Sequence, residues 1–313
     1  MSKWFDRYNR NKKILSDGHL YRNQDEHDAC GVGFVASIDG KPRRKVVEGG
    51  IDALKAVWHR GAVDADGKTG DGCGLLTQIP DDFFDDEIAK TGHEKKDSKL
   101  GVGMIFLPRN DYAALEKCRT IIESELLEHG YYIYGWRQVP IDNRVIGEKA
   151  NLTRPEIEQV LFANNVDRQQ DFDYSKQLYL VRRRIEKRIQ RQQISDFYIC
   201  SMSFDVIIYK GLFLAEELST FYPDLMNENF VSSYSIFHQR YSTNTFPSWG
   251  LAQPFRMLAH NGEINTISGN TNWMRNHQTR IAEEIFGDDS EQVKPIIEKN
   301  VSDSAALDAC LLY

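Results

Sequence analysis

The first residue that could do chemistry is Cys30, in the segment 26–34 (EHDACGVGF). It precedes a small and apolar run, residues 31–38 (GVGFVASI), which is typical of a buried strand, and Asp39-Gly40 would turn that strand into a hairpin. A cysteine at the head of a strand could act as a thiolate nucleophile. Buried structural thiols are more frequent than nucleophiles among such cysteines, so the segment alone favours the structural role.

The dipeptide Asn261-Gly262 is a second candidate for chemistry. Asn-Gly is the strongest short signal for a type I′ hairpin turn. A glycine is also favoured where the backbone approaches a substrate closely, because it has no Cβ. Taken by itself the dipeptide favours the turn.

Two other kinds of site are not indicated by the sequence. His27, His59, His238 and His260 do not have the H-x-x-x-H spacing of a helical zinc pair, which favours structural roles for all four. The glycine-rich stretch 67–74 (GKTGDGCG) lacks the G-x-x-x-x-G-K-[ST] pattern of a phosphate-binding loop. We therefore expect no metal and no cofactor.

The elements that must position these residues are mainly strands, with a few helices between them. Apolar runs predict strands at residues 75–79, 100–107, 131–136, 178–181, 197–204, 206–209, 233–241 and 255–260. Helices are predicted at residues 49–59, 111–129 and 212–218, a glycine-rich loop at 61–74, and a solvated basic face at 182–193. This mixture indicates an α+β layered protein.

Composition limits the classes of function. The chain has 313 residues, 41% hydrophobic and 27% charged, with a net charge of −7, which argues against general nucleic-acid binding. Neither a bilayer-spanning apolar run nor a secretory signal is evident, so we expect a cytoplasmic protein without a membrane partner. The five cysteines, Cys30, Cys73, Cys118, Cys200 and Cys310, include no C-x-x-C pair and indicate no disulfide framework or zinc ribbon.

Five separated motifs, in order along the chain, change the interpretation of Cys30 from a structural thiol to a candidate nucleophile. They are EHDACGVGF at 26–34, WHRG at 58–61, RYSTNT at 240–245, HNGEINT at 260–266 and SDSAALD at 302–308. Their order and wording resemble the class II glutamine amidotransferases, and in particular the amidotransferase domain of glutamate synthases. The resemblance runs from about residue 20 almost to the end of the chain.

The resemblance implies a fold and a maturation step. The implied fold is the four-layer αββα arrangement of N-terminal nucleophile hydrolases, with the nucleophile at the start of a strand. Removal of a leader, residues 1–29, would make Cys30 the first residue of a domain that spans 30–313. Its freed α-amine, with a pKa of about 7.7 to 8.0, could then serve as the base.

The resemblance also implies a role for each motif residue, with glutamine as the substrate. Cys30 would attack the side-chain amide, and Asn261 with Gly262 would form the oxyanion hole. Arg240 would bind the α-carboxylate and Asp303 the α-ammonium. Two further residues would complete the site, Thr243 through its hydroxyl and Arg60 as a support for the nucleophile strand.

The end of the chain raises further expectations. The family's domain continues beyond the SDSAALD motif, whereas this chain ends at Tyr313. We expect the sheets to be incomplete at the C-terminus, and a separate chain to supply the missing strands and the synthase domains. A shortened inactive relative and a glutamine-binding regulatory module are the alternatives to an active glutaminase.

Overall fold

The computed structural model of the chain describes residues 2–18, 31–164, 171–240, 246–299 and 301–313. Two compact units are present, Met1–Cys30 and Gly31–Tyr313. The first contains one described helix, α1 (Ser2–Gly18). The second contains all of the sheet structure and every described residue of the predicted site.

The second unit is built on two antiparallel sheets of four strands each. The strands are β1 (Val32–Ala36), β2 (Thr69–Gln78), β3 (Leu100–Leu107), β4 (Tyr131–Gln138), β5 (Glu156–Asn164), β6 (Tyr198–Ser203), β7 (Val206–Phe213) and β8 (Tyr234–Gln239). The strand order is β1-β8-β2-β7 in the first sheet and β4-β5-β3-β6 in the second.

Helices connect and cover the two sheets. They are α2 (Arg44–Ala56), α3 (Asp81–Lys90), α4 (Tyr112–Glu128), α5 (Glu148–Leu152), α6 (Asp171–Arg191), α7 (Leu218–Phe221), α8 (Ile267–Phe286), α9 (Ser290–Val293) and α10 (Asp303–Leu312). A short 3₁₀ helix, Trp58–Arg60, follows α2.

Strand β3 shows how the layers are held together. Its side chains alternate between faces, as in any strand. Val102 and Met104 belong to an apolar cluster that also contains Tyr209 of the first sheet. Ile105 and Leu107 pack instead with apolar side chains of α4 and α6. With α2 against β1 and β8, this gives the predicted α+β arrangement of stacked sheets between helices.

Helix α4 confirms the prediction of a helix at residues 111–129. The side chain of Asp111 accepts a hydrogen bond from the Ala114 N–H (2.9 Å), which caps the helix N-terminus. Leu115, Cys118 and Ile122 recur at helical spacing and are buried. The sequence therefore contained both the cap and the buried stripe of this helix.

The predicted strand at residues 178–181 is wrong, because these residues lie within α6. Leu178, Val181, Ile185 and Ile189 are buried at spacings of three and four residues, which is a helical pattern. A run of four apolar residues is too short to distinguish a strand from a buried helix.

The solvated basic face predicted at residues 182–193 is also wrong for two of its members. Arg182 and Arg183 are 6% and 5% exposed. Both donate to Glu186, at 2.6 and 2.7 Å, and Arg183 also donates to the carbonyl of Pro295 (2.6 Å). An ion pair and a carbonyl thus replace the water that these cations lose on burial.

Strand β1 does not enter a hairpin. The turn at Asp39 leads into α2, and β1 pairs instead with β8, which is distant in sequence. Several other elements differ from the prediction. Residues 69–74 of the expected loop belong to β2, and β7 extends to Phe213, so that the helix expected at 212–218 is replaced by α7 at Leu218–Phe221. Residues 255–260 form no strand, and β5 and α8 were not predicted. Within the described residues, no helix is long and apolar enough to span a bilayer.

Candidate active site

The first described residue after Cys30 is Gly31, where the chain meets β8. The Gly31 carbonyl accepts a hydrogen bond from the N–H of Gln239 (2.5 Å). A Cβ at Gly31 would lie 2.4 Å from the Gln239 carbonyl oxygen and 2.8 Å from Nδ2 of Asn261. Both distances are too short for a side chain, so glycine is required here. The amide of Asn261 therefore lies against the start of β1.

Asn261 is held in place through the residue before it. The His260 carbonyl accepts from Nε2 of His238 (2.9 Å) and from Nε2 of Gln253 (3.3 Å). The N–H of His260 donates to Oε1 of Gln253 (3.1 Å). Burial lowers the pKa of His238 to about 4, so its ring is neutral near pH 7 and carries its proton on Nε2, where it donates. Neutral side chains thus fix the backbone beside Asn261.

Gly262 makes a contact that the sequence did not indicate. Its N–H donates to Nδ1 of His260 (3.1 Å). In a neutral ring the other nitrogen then carries the proton, so Nε2 of His260 donates to Oγ of Ser304 (2.8 Å). The amide predicted to stabilise an oxyanion is therefore already engaged by a neighbouring side chain.

Asp303 is buried at the N-terminus of α10 and ties that helix to the Asn261 loop. Its Oδ1 accepts from the N–H of Ser304 (2.7 Å) and from the Ser304 hydroxyl (3.3 Å). Its Oδ2 accepts from the N–H of Ile264 (3.3 Å). A carboxylate at a helix N-terminus is also favoured by the helix dipole. A continuous hydrogen-bonded path therefore runs from Gly262 through His260 and Ser304 to Asp303.

Arg240 follows the last residue of β8. Its N–H donates to the Gly72 carbonyl on β2 (2.8 Å), and its φ is +97°, which is unusual for a residue with a side chain. The side chain is exposed. In the described residues its guanidinium has no hydrogen bond or ion pair.

Arg60 is exposed at the end of the 3₁₀ helix. The next residue, Gly61, packs directly on β8, since a Cβ there would lie 1.9 Å from Nε2 of Gln239. The same Cβ would lie 3.4 Å from Oδ1 of Asp71. The WHRG motif thus reaches the end of β8 through its glycine.

The structure brings the described site residues to one region. Asn261 and Gly262 lie beside the start of β1, Arg240 at the end of β8, and Asp303 is linked through the Asn261 loop. Arg60 precedes Gly61, which lies against Gln239. Two predicted residues, Cys30 and Thr243, lie outside the described residues.

Sequence reasoning missed Gln239 and Asp71 in this region, and it gave His238 only a structural role. His238 and Gln239 immediately precede Arg240 on β8, and both are 1% exposed. Asp71 is 6% exposed, and burial raises its pKa to about 6, although attraction by Arg240 opposes the rise. His238 and Gln239 could have been noticed from the sequence, because they directly precede the motif residue Arg240. Asp71 stood inside a glycine-rich stretch that was expected to be a loop.

Other sites are not evident near these residues. In the described part of the chain, no three His, Cys, Asp or Glu side chains are grouped so that they could hold a metal ion. A cavity of about 740 Å³ lies between α6, β6 and α10, and none of the predicted site residues lines it. This cavity is thus separate from the region around Gly31.

Comparison with known proteins gives a family and a set of relatives. Residues 30–313 match the family described as "Glutamine amidotransferases class-II". The chain is 60% identical over 301 residues to the "Glutamate synthase [NADPH] large chain" of Azospirillum brasilense, a match that covers 96% of this chain and 20% of that protein.

More distant relatives give the same relation. The "Ferredoxin-dependent glutamate synthase" of Pyropia yezoensis is 41% identical over 304 residues, which cover 96% of this chain and 19% of that protein. The "Glutamate synthase [NADPH] large chain" of Bacillus subtilis is 40% identical over 289 residues, or 92% and 19%. The chain spans about a fifth of the length of these relatives.

Proposed function

Because the chain belongs to the class-II glutamine amidotransferases, we propose that it carries out the glutaminase half-reaction of a glutamate synthase. The Cys30 thiolate attacks the carboxamide carbon of glutamine and forms a tetrahedral oxyanion. Collapse of this intermediate releases ammonia and leaves a thioester on the sulfur. Water then attacks the thioester and releases glutamate, with the thiol restored.

The observation that supports this most directly is the position of Asn261. Its Nδ2 would lie 2.8 Å from a Cβ at Gly31, the residue joined to Cys30 by a peptide bond. Consecutive Cα atoms are only about 3.8 Å apart, so an amide donor lies close to the nucleophile's end of β1. When the Cys30 sulfur attacks, negative charge develops on the carboxamide oxygen of glutamine, and a donor in that position is what this oxyanion requires.

The substrate's charged groups require two partners in the same region. In the proposed site Arg240, whose guanidinium is exposed, binds the α-carboxylate of glutamine as a planar fork. Asp303 binds the α-ammonium. Its carboxylate accepts from Ser304 and Ile264, which fixes its position at the N-terminus of α10. Thr243 adds a hydroxyl contact and Arg60 supports the nucleophile strand.

The proposal includes removal of residues 1–29. This cleavage leaves Cys30 as the first residue of the domain 30–313, and its α-amine then takes the thiol proton. Intact-mass measurement of the protein from its native host tests this step. A species that retains residues 1–29 and still hydrolyses glutamine would contradict the amine-base mechanism.

The whole reaction is tested by measuring ammonia and glutamate released from glutamine by the processed protein. Cys30→Ala should abolish both products, whereas Cys310→Ala, which changes a thiol on α10, should leave the rate unchanged. Equal rates in the wild type and Cys30→Ala would rule out Cys30 as the nucleophile.

Glutamine binding without hydrolysis is the second candidate function, and one observation favours it. The N–H of Gly262 donates to His260, so this half of the oxyanion hole is engaged within the protein. Calorimetry separates the two functions, because a non-catalytic module binds glutamine with no release of ammonia.

The chain spans about a fifth of the length of its glutamate synthase relatives. We propose that a separate chain supplies the synthase domains, together with further strands of the amidotransferase domain. Co-purification from the native host tests this partner. The expected cytoplasmic location stays a prediction.

A further inference from the structure

Asp71 is a buried carboxylate with no side-chain hydrogen-bond donor among the described residues, although the backbone of Ala62 is close enough to lower its pKa. It is 6% exposed, and neither of its carboxylate oxygens accepts a hydrogen bond from the described residues. A buried charge without a donor is costly, and an isolated case calls for an explanation. Burial raises the pKa of Asp71 to about 6, so the group is still ionised near pH 7.

A second unpaired acceptor lies close to Asp71. Oε1 of Gln239 is buried and likewise lacks a donor in the described part of the chain. Both side chains face the Cα of Gly61, since a Cβ there would lie 1.9 Å from Nε2 of Gln239 and 3.4 Å from Oδ1 of Asp71. Three acceptor oxygens thus share one small region, which suits a group with several N–H donors.

Arg240 is a cation with the required reach. Its backbone N–H is bonded to the carbonyl of Gly72, the residue after Asp71, so its side chain begins beside that carboxylate. Arg240 also attracts Asp71 electrostatically and opposes the rise in the carboxyl pKa. Among the described residues its guanidinium, with five N–H donors, has no acceptor.

The backbone of Arg240 supports a fixed position. A φ of +97° is uncommon and strained for a non-glycine residue, so the surrounding structure must impose it. The bond to Gly72 on β2 is one such restraint.

We propose that Asp71 is the positioning residue for Arg240. Its carboxylate, with Oε1 of Gln239, holds one edge of the guanidinium, and the other edge is left to bind the α-carboxylate of glutamine. This inference rests on the proposed role of Arg240 in the glutaminase. A guanidinium suits the task because it presents its donors along separate edges of one plane.

The test is a substitution that removes the charge of Asp71 and keeps the shape of its side chain. Asp71→Asn should raise the KM for glutamine about tenfold, with kcat changed less than about threefold, because it disturbs binding rather than chemistry. The matched control is Asp64→Asn, which changes an aspartate at the surface of the preceding loop, paired with Lys149. Thermal unfolding checks that both variants fold, and Asp71→Asn should not be less stable, since it removes a buried charge.

A double-mutant cycle separates positioning from a general structural role. Arg240→Lys cannot offer two edges, so adding Asp71→Asn to it should raise KM by less than about twofold further. Additive effects of the two substitutions would overturn the proposal, as would an unchanged KM in Asp71→Asn.

The pH dependence gives an independent measure. The groups that interact with Asp71 are Arg240, which follows β8, the backbone of Ala62, and the thiol of Cys73 on β2. Burial raises the pKa of the Cys73 thiol well above its usual value, so this thiol does not change its charge between pH 5 and 8. The KM of the wild type should rise as pH falls through about 6, and Asp71→Asn should lack this rise.

Failure of the proposed function is distinguishable from failure of this inference. If the wild type releases no ammonia, the same variants are compared by calorimetric titration with glutamine, and a tenfold weaker Kd in Asp71→Asn supports the positioning role. An unchanged Kd in Asp71→Asn, or the absence of glutamine binding by the wild type, would overturn it.

Discussion

The backbone N–H of Gly262 donates to Nδ1 of His260 over 3.1 Å, two residues back in the same loop. An oxyanion-hole donor must point at the oxygen on which charge develops. The bond to His260 therefore has to break before Gly262 can assist catalysis. The net strength of such a bond is about 1 kcal/mol, so substrate binding can offset it.

Removing the ring acceptor should therefore raise the rate. We expect His260→Leu to increase kcat about fivefold, because a bond of about 1 kcal/mol no longer opposes the catalytic position of Gly262. Ser304→Ala is the control, since it removes only the hydroxyl on the other side of the ring. Steady-state ammonia release measures both. A folded His260→Leu variant with reduced kcat would show that the ring itself is needed.

Asn261→Ala should lower kcat by a factor of about 10² to 10³, the usual effect of losing one oxyanion donor. Asn261 is exposed, so the temperature of unfolding should hardly change. Asn265→Ala provides a control, because Asn265 is an exposed asparagine of the same loop. If both variants lose activity equally, the order of the loop is responsible and not the Asn261 amide.

Arg240→Ala and Asp303→Ala should both weaken glutamine binding, by about 2 to 5 kcal/mol, because each leaves one substrate charge unpaired. They should differ in stability. Arg240 is exposed, whereas Asp303 is 5% exposed and accepts from Ser304 and Ile264. Calorimetry and thermal unfolding measure the two effects. Unchanged binding in folded variants would refute the assignment.

The sequence singled out those site residues that stand in recognisable motifs. Asn261 and Arg240 are two of them, and the structure brings both to the junction of β1 and β8, while their roles stay predictions. The closeness of Asp71 and Gln239 could not be predicted, because it arises from the pairing of β2 with β8, which are distant in sequence. No local sequence pattern shows that a particular aspartate will be buried without a side-chain hydrogen-bond donor.

The same limit applies to the fold. Residues 100–107 form an uninterrupted apolar run and were predicted with the observed bounds. Residues 178–181 have the same composition over a shorter length, and only their packing with α4 and β6 shows that they are helical. From the sequence, Arg182 and Arg183 look like surface cations, and only the structure shows that both form ion pairs with Glu186.

Glu186 leads to a prediction about stability. Burial raises its pKa, but attraction by Arg182, Arg183 and Arg256 outweighs this effect and lowers the value to about 2. A carboxylate with a lowered pKa contributes stability that is fully present above its unfolded pKa of about 4.5 and is lost as pH falls through about 2.

We therefore expect Glu186→Gln to lower the free energy of unfolding by about 3 kcal/mol at pH 7, since three cations are left without their shared anion. Glu128→Gln, which changes an exposed glutamate of α4, should have no measurable effect. Urea unfolding at pH 7 and pH 3 provides the measurement, and the difference between wild type and Glu186→Gln should shrink at the lower pH. A difference that is constant with pH would show that the glutamate acts through its shape and not through its charge.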